Sequence, residues 1–281
     1  MKAERIDSLV PSDAIVSTRT QESPTIFSLG IRFSDPALNE SYTFEAGQFN
    51  MLYLHGIGEI PISIVSDPHY GDDLVHTIRT VGRVTQAMSR LQPGDHLGVR
   101  GPYGQGWPLK QARQRDVLII TGGLGCAPSV SAINYIMHRR EEFGQVCIIQ
   151  GVKHSDDLIW QQRYEQWMKA ENTQVLLAAD VAEHSWPWHI GLVTELIPQI
   201  QFDISDAIIM LCGPEIMMQA SALQAIEHGA SADHIWLSME RSMSCATGHC
   251  GHCQFGADFI CKTGPVLNYQ TISDRLKIRG L

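Results

Sequence analysis

Four of the seven cysteines lie together near the end of the sequence and form the pattern C-x4-C-x2-C-x7-C. The spacing of the first three matches the plant-type arrangement of a [2Fe–2S] cluster, in which a fourth thiolate from further along the chain completes the ligand set. The pattern therefore predicts a cluster bound by Cys245, Cys250, Cys253 and Cys261.

The residues between these cysteines suit a loop around a cluster. Glycines at 248, 251 and 256 would let backbone N–H groups approach cluster sulfides without obstruction by a Cβ atom. We expect His249 and His252 to be polar loop residues, because four thiolates already complete the coordination. Two alternatives stay open: free thiols, and a structural zinc ion, which usually takes two short C-x2-C pairs and could use the histidines as ligands.

Composition and charge restrict the partners of the chain. A net charge of −9 over 281 residues argues against nucleic acid or an anionic membrane surface, because either would favour a basic protein face. The first residues carry scattered charges and do not resemble a signal peptide, and no later run approaches the roughly 20 apolar residues of a membrane span. We therefore expect a cytoplasmic protein whose cysteines are reduced thiols or metal ligands.

The strand pattern changes at about residue 110. Up to Lys110, short β-rich runs such as TIFSLGIRF and LVHTIRTVG, separated by turn residues, are typical of an antiparallel barrel or sandwich. Beyond it, buried runs such as VCIIQGV and AIIMLCGP alternate with helical patterns, which predicts a doubly wound parallel sheet with HIWLSME as its last strand. We expect domains at 1–110 and 111–240, and a segment at 241–281 that holds the cysteines and ends in a polar tail.

A glycine-rich turn follows the first strand of the second domain, in VLIITGGLGCAP, before a helix that is expected to begin near Pro128. Such a turn brings backbone N–H groups and a helix N-terminus against a phosphate, although this one lacks the full G-x-G-x-x-G fingerprint and such turns also occur without a ligand. MLCGPEIMM is a second strand-to-loop junction. We expect both junctions to line one crevice at the carboxyl ends of the strands.

The order of these parts resembles the ferredoxin-reductase-type flavoproteins. GGLGCAP, CGPEIMM and a terminal cysteine segment ending in CKTGPVLNY carry the resemblance, which covers nearly the whole chain. More narrowly, the chain resembles the electron-transfer subunits of dihydroorotate dehydrogenase and of anaerobic sulfite reductase, and the gamma (diaphorase) subunit of cytosolic nickel–iron hydrogenase. The resemblance implies an FAD-binding β-barrel, an NAD(P)-binding α/β domain and a [2Fe–2S] segment, in that order.

Two flavin-binding stretches are implied by this resemblance. The family motif Arg-x-x-Ser corresponds to IPIS, where isoleucine replaces the arginine and removes a cation from the flavin diphosphate, as is common in the hydrogenase and sulfite reductase members. The second stretch, TIRTVGRVT, offers two arginines as phosphate cations. GVRGPYGQGW is expected to be a structural turn near the flavin. The implied flavin-binding residues are Ile60, Pro61, Ile62, Ser63, Thr77, Ile78, Arg79, Gly82, Arg83, Val84 and Thr85.

The resemblance also implies a nicotinamide nucleotide site in the α/β domain. Cys212 of the CGP stretch is expected near the nicotinamide ring. Asp180 is expected near the adenosine ribose, where an acidic residue favours NAD over NADP. The implied nucleotide-binding residues are Gly122, Gly123, Gly125, Cys126, Gly213 and Pro214.

These implied cofactors form a series of electron carriers. NAD(P)H gives up two electrons as hydride and an iron–sulfur cluster accepts one, so that FAD is needed to separate the pair. Because no part of the chain resembles a site for H2, sulfite or dihydroorotate, we expect electron exchange with a catalytic partner subunit, and we favour that of a hydrogenase. The alternatives are a self-contained reductase for a soluble oxygenase and, in another class, a nucleotide-binding regulatory protein with a structural zinc loop.

Overall fold

The computed structural model describes residues 9–71 and 73–278, which divide into two compact units. The first unit contains the chain up to Gly106 together with Glu240–Pro265, and the second contains Trp107–Met239 and the chain from Val266 onwards. The structure thus distributes the residues after 240 over both units. The domain limits expected at 110 and 240 stay predictions.

The first unit is built on a six-stranded antiparallel sheet with the strand order β4-β3-β6-β1-β2-β5. Its elements are β1 (Ser12–Ser23), β2 (Ile26–Phe33), α1 (Pro36–Ser41), β3 (Phe49–Leu54), β4 (Gly58–Ser63), β5 (Leu74–Arg79), α2 (Arg83–Met88) and β6 (His96–Tyr103). The antiparallel β structure expected for this part of the chain is confirmed, whereas the closure of the sheet into a barrel stays a prediction.

Strand β1 is not among the predicted strands, yet it lies between β2 and β6 and pairs with both. Ala14 and Val16 alternate with more exposed neighbours along β1, as a half-buried strand requires. Both side chains join an apolar core with Phe27, Leu29 and other buried residues of the sheet. The beginning of the described chain therefore forms a central strand of the first unit.

A chain of polar side chains crosses the interior of this unit. Tyr42 donates a hydrogen bond to Oδ1 of Asn50, and Nδ2 of Asn50 lies 3.4 Å from Nε2 of His76. Nδ1 of His76 lies 3.0 Å from the backbone carbonyl of Ser63. Because a carbonyl only accepts, Nδ1 carries the proton, and Nε2 is left to accept from Asn50. The interior therefore holds a neutral imidazole that donates a hydrogen bond to the last residue of β4.

The second unit contains a seven-stranded sheet with the order β10-β9-β8-β7-β11-β12-β15. Its elements up to residue 238 are α3 (Leu109–Ala112), β7 (Val117–Gly122), α4 (Cys126–Met137), β8 (Val146–His154), α5 (Gln161–Trp167), β9 (Thr173–Val181), β10 (His189–Ile190), β11 (Ile208–Cys212), α6 (Glu215–Glu227) and β12 (Ile235–Ser238). Neighbouring strands from β10 to β12 are all parallel, which confirms the predicted parallel sheet. The strand order reverses direction between β7 and β11, and this switch point is where such sheets place ligands.

The end of the chain corrects two sequence-based expectations. After the short strands β13 (Gln254–Phe255) and β14 (Asp258–Phe259), the chain continues as β15 (Val266–Asn268) and α7 (Tyr269–Leu276). β15 pairs antiparallel with β12, so HIWLSME is not the last strand of the second sheet. The expectation of a polar tail is wrong for the residues up to Leu276, because Tyr269, Ile272 and Leu276 form a buried face of α7.

None of the helices in the described ranges is both long and apolar enough to cross a membrane.

The buried imidazole predicts a pH-dependent stability. Burial lowers the pKa of His76 to about 4, although hydrogen bonds to the backbone of Ser63 and Ile62 act to raise it. In the unfolded chain, the pKa of the histidine is near 6.5. Because the unfolded chain takes up the proton first, His76 stabilises the fold above about pH 6.5 and this stabilisation is lost as the pH falls towards 4. We expect the His76 contribution to the free energy of unfolding to fall by about 2 kcal/mol between pH 8 and pH 5.

Urea unfolding at these two pH values checks this prediction. A His76→Gln variant should lose this part of the pH dependence, whereas a control variant at the exposed His228 should keep the wild-type profile. The same pH dependence in His76→Gln and in the wild type would show that another group is responsible.

Candidate functional site

The four cysteines lie in the part of the first unit that runs from Glu240 to Pro265. Cys253 and Cys261 are buried, Cys245 is half-buried and Cys250 is exposed. Burial, together with the neighbouring thiols of Cys253 and Cys245, raises the pKa of Cys261 to about 12, and a hydrogen bond from the backbone N–H of Gly248 acts in the opposite direction. The backbone N–H of Cys250 bonds to the sulfur of Cys245. These contacts link all four cysteines.

Backbone donors surround the sulfur of Cys245. The N–H groups of Thr247, His249 and Cys250 lie 3.4, 3.3 and 3.4 Å from it. Burial alone would raise the pKa of Cys245, but hydrogen bonds from these N–H groups and from the Thr247 side chain lower it to about 5. This position is therefore prepared for a thiolate, the form in which cysteine binds metal.

The backbone conformation at Gly248 explains why a glycine is needed at this position of the segment. Gly248 has a φ of +77°, in the left-handed region that glycine adopts without steric cost. A Cβ atom there would lie 2.4 Å from Cδ of Lys262. The turn at Gly248 directs its N–H to the sulfur of Cys261. The glycine thus contributes a donor to the second half of the cysteine set.

This donor set fits a binuclear cluster. Within residues 9–71 and 73–278, no three His, Cys, Asp or Glu side chains are grouped so that they could hold one metal ion. A [2Fe–2S] cluster does not require such a group, because its four thiolates are shared between two irons. The N–H groups directed at Cys245 and Cys261 also match the donors that tune cluster sulfurs. The role of the four cysteines as ligands stays a prediction.

The first predicted flavin stretch is strand β4, whose residues are all partly exposed. Ile60 and Ile62 pack against the apolar core of the first unit, so Pro61 and Ser63 face the other side of the strand. The position that carries arginine in the family motif therefore holds a partly buried apolar side chain that packs against the core in this chain. β4 is at one end of the strand order, where a proline is tolerated because its missing N–H is not needed for a ladder.

The second predicted flavin stretch divides into buried and exposed residues. Thr77 and Ile78 of β5 are buried, and the hydroxyl of Thr77 lies 2.8 Å from that of Ser28. Arg79, which follows them, is exposed. The side chains of Thr77 and Ile78 therefore hold the sheet together, and Arg79 remains accessible to an anionic ligand.

Helix α2 continues this stretch and stands against the turn before β4. The hydroxyl of Thr85 accepts hydrogen bonds from the N–H groups of Val81 and Gly82, both at 3.0 Å, which fixes the start of the helix. Nη2 of Arg83 donates to the carbonyl of Ile57 at 2.8 Å, and the side chain of Val84 packs against the core. Gly82 is exposed and a Cβ atom there would meet no atom within 4 Å. This open position with an adjacent cation fits a diphosphate.

The structure brings the two predicted nucleotide stretches together at the switch point of the second sheet. β7 ends at Gly122 and a 3-10 turn over Gly123–Gly125 leads into α4, which begins at Cys126, two residues before Pro128, near which the helix was expected to begin. A Cβ atom on Gly125 would lie 2.4 Å from the carbonyl oxygen of Cys212, and one on Gly213 would lie 2.9 Å from the backbone nitrogen of Gly122. The two glycines are thus required by the close approach of two backbone segments.

Other predicted residues of this region differ in exposure. Cys126 and Cys212 are 2% and 1% exposed, so both thiols are covered by protein. Gly123 has a φ of +56° and faces open space, which leaves room for a ligand. Pro214 directly precedes α6. Asp180 is exposed near the end of β9, and its proximity to a ribose stays a prediction.

Two buried polar residues beside the predicted cofactor-binding stretches, one in each unit, are not predicted by the sequence patterns. Gln150 on β8 is buried and donates to the carbonyls of Gly123 and Gly151 at 3.1 and 2.9 Å, so that it holds the glycine turn. Arg100 on β6 is buried and donates to the carbonyls of Ser244 and Cys245 at 2.9 and 2.6 Å. A polar residue inside an apolar strand is the sequence signal for both, and its partner becomes visible only in the fold.

The contact between the two glycine stretches predicts an effect on stability. A Gly125→Ala variant should lower the free energy of unfolding by about 2 kcal/mol or more, because the added methyl group would collide with the backbone of Cys212. A Gly82→Ala control, where the methyl group meets open space, should cost less than about 1 kcal/mol. Urea unfolding of both variants tests this, and equal losses would contradict the close approach.

Comparison with known protein families supports the predicted nucleotide site of the second unit and the predicted cluster site of the first. Residues 119–222 match the oxidoreductase NAD-binding domain, and residues 240–273 match the iron–sulfur cluster binding domain of dihydroorotate dehydrogenase B. The first range includes the glycine turn and the CGP stretch. The second includes all four cysteines of the C-terminal segment.

Solved structures share the fold at lower sequence identity. A chain of the NADH-dependent reduced ferredoxin–NADP oxidoreductase has a TM-score of 0.71 at 24% identity, and the match covers 94% of this chain and 93% of that one. A ferredoxin–NADP+ reductase from Neisseria gonorrhoeae has a TM-score of 0.65 at 20% identity, with coverage of 83% and 92%. The chain therefore has a ferredoxin-reductase-like fold.

Relatives of similar length identify the family. The sulfhydrogenase 1 gamma subunit of Pyrococcus furiosus is 36% identical over 85% of this chain and 84% of its own length. The sulfhydrogenase 2 gamma subunit of the same organism is 33% identical over 91% and 92%. A probable dihydroorotate dehydrogenase B (NAD(+)) electron transfer subunit of Methanocaldococcus jannaschii is 30% identical over 88% and 85%. The chain belongs to the family of ferredoxin-reductase-type, NAD-binding iron–sulfur oxidoreductase subunits that includes the sulfhydrogenase gamma subunits and the electron-transfer subunits of dihydroorotate dehydrogenase B.

Proposed function

We propose that this protein is the electron-transfer (diaphorase) subunit of a hydrogenase complex, of the cytosolic nickel–iron type. Through FAD and a [2Fe–2S] cluster, it moves electrons between NAD(P)H and a catalytic partner subunit. The observation that carries the proposal is the cysteine segment, in which backbone N–H groups are directed at the sulfurs of Cys245 and Cys261. The cytoplasmic location expected from the sequence belongs to the same proposal.

Sequence identity favours a hydrogenase partner over the other members of the family. The two sulfhydrogenase gamma subunits are 36% and 33% identical to this chain, against 30% for the dihydroorotate dehydrogenase relative described with them. The apolar residue at position 60 favours the hydrogenase and sulfite reductase members over the dihydroorotate dehydrogenase members, since the motif of the first two commonly lacks the arginine. The partner subunit supplies the site where H2 reacts.

The first unit holds the flavin with residues of β4, β5 and α2. Pro61 and Ser63 lie on the face of β4 that does not pack against the core. Arg79 and Arg83 supply the positive charge for the diphosphate that Ile60 does not supply. When bound, FAD accepts hydride from NAD(P)H and passes on single electrons, which is the chemistry that an iron–sulfur cluster can receive.

The second unit holds the nicotinamide nucleotide at its switch point. Gly122, Gly123 and Gly125 bring backbone N–H groups to the phosphates, and Gln150 fixes the position of that turn through its hydrogen bond to Gly123. Cys212, at the end of β11, lies beside the nicotinamide ring in this proposal. Its thiol is buried in the second unit.

A second candidate is the electron-transfer subunit of a dihydroorotate dehydrogenase. The match of residues 240–273 to the cluster domain named after that enzyme favours it. The electron-transfer subunit of an anaerobic sulfite reductase would use the same cofactors. The three differ in the catalytic partner, so the partner that receives electrons from the purified protein decides between them.

The cofactor content of the purified protein tests the proposal directly. We expect a yellow-brown protein with flavin absorption, bound iron and, after reduction, the EPR signal of a [2Fe–2S] cluster. Metal analysis measures iron and zinc in the same sample. Colourless protein with one zinc ion and no flavin would contradict the proposal and would favour a nucleotide-binding regulatory protein.

Substitution of one ligand separates the cluster from the flavin. In a Cys250→Ser variant, NAD(P)H-dependent dye reduction at the flavin should remain, whereas the EPR signal and the reduction of a hydrogenase partner should be lost, because one thiolate of the cluster is missing. Cys147→Ala is the matched control, since Cys147 is a buried thiol of β8 outside the segment. It should keep the EPR signal. A full cluster signal in Cys250→Ser would contradict the assignment of this ligand.

A further inference from the structure

A buried arginine connects the cysteine segment to the antiparallel sheet. The side chain of Arg100 is 5% exposed and all five of its N–H donors have acceptors. Nε and Nη2 donate to the two carboxylate oxygens of Glu59 at 2.5 and 2.6 Å. The remaining donors reach the carbonyls of Cys245 at 2.6 Å and Ser244 at 2.9 Å and the hydroxyl of Tyr103 at 3.1 Å.

The two groups held by Arg100 belong to the two cofactor sites of the first unit. Glu59 lies on β4 directly before the predicted flavin residues Ile60–Ser63. Cys245 is the first predicted cluster ligand, and its carbonyl is held at the same guanidinium. Strand β3 lies between β6 and β4, so the Arg100 side chain reaches across one strand to join them.

Between Glu240 and Pro265, the cysteine segment contains little regular secondary structure. Its regular structure in the described residues consists of β13 and β14, each of two residues. At its far end, the backbone N–H of Gln105 donates to the carbonyl of Gly264 at 2.5 Å. Arg100 therefore anchors the beginning of the segment and Gln105 its end.

We propose that Arg100 is a positioning residue for electron transfer, which fixes Cys245 at a constant distance from the flavin-binding strand β4. This inference rests on the proposed function. In the step concerned, one electron passes from the flavin reduced by NAD(P)H to the oxidised cluster; the flavin is oxidised, the cluster is reduced, and no bond of Arg100 forms or breaks. A planar guanidinium is required, because lysine cannot hold a carboxylate and two carbonyls in one fixed geometry.

Rapid-mixing kinetics of the cofactor-loaded protein with NAD(P)H test this role. In Arg100→Gln and Arg100→Lys, electron transfer to the cluster should slow more than flavin reduction does, because the guanidinium holds the backbone of the predicted cluster ligand Cys245 directly. Electron arrival at the cluster, followed by its absorption and by freeze-quench EPR, should slow severalfold, because the rate of electron tunnelling falls steeply as the distance between donor and acceptor grows. The EPR line shape of the reduced cluster should broaden as the segment takes up several positions.

A matched control separates this effect from a general loss of an arginine. Arg32 also pairs with a carboxylate of the first unit, that of Asp73, but its side chain is 53% exposed. Arg32→Gln should keep both rates and the EPR line shape. If Arg100→Gln does not retain its cluster, Arg100→Lys decides: slow cluster reduction supports the proposal, and the wild-type rate overturns it.

The outcomes also distinguish this inference from the proposed function. A wild-type protein that contains flavin and cluster, with Arg100 variants that reduce the cluster at the wild-type rate and with an unchanged EPR line shape, would overturn the positioning role alone. A wild-type protein without flavin or cluster would overturn the proposed function and this inference together.

Discussion

The arrangement of the first unit depends on the ion pair and the hydrogen bonds of the Arg100 guanidinium. It is buried, fully hydrogen-bonded and paired with the carboxylate of Glu59, so its charge does not lie unpaired in a low dielectric. Removing one partner of such a pair typically costs about 3–5 kcal/mol, because the other charge is left buried without compensation. The pair therefore holds β4 and the beginning of the cysteine segment in one geometry, and a one-residue shift of either would leave donors unsatisfied.

A second constraint is the close approach of backbone segments at the switch point of the parallel sheet. The glycine turn after β7 and the CGP stretch after β11 touch each other without intervening side chains, and Gln150 holds the turn from β8. Such a surface of backbone N–H groups suits a phosphate and leaves side-chain chemistry to the cofactors. Both units thus serve the same purpose: each holds a carrier in place, and the protein itself contributes position and charge.

Much of this organisation follows from the sequence, because its signals are local. Cysteine spacing indicates the cluster ligands, and apolar runs between turn residues indicate most strands. Strand β1 is not predicted from the sequence, because its polar residues alternate with few apolar ones. Helix α7 is not predicted either, because its apolar residues 269, 272 and 276 are few and widely spaced. The role of Arg100 is not predictable at all, since its partners Glu59 and Cys245 are distant in sequence and come together through strand pairing and a long loop.

The pairing of β12 with β15 has a consequence for how this chain can change. Residues between these two strands leave the second unit and return to it, while the antiparallel ladder from Trp236–Asn268 to Ser238–Val266 holds both ends in register. Two antiparallel strands can be joined by a turn of two residues. The pairing of β12 with β15 therefore does not require a segment as long as the one that joins them. The segment between β12 and β15 can therefore vary in length without altering the pairing of these two strands.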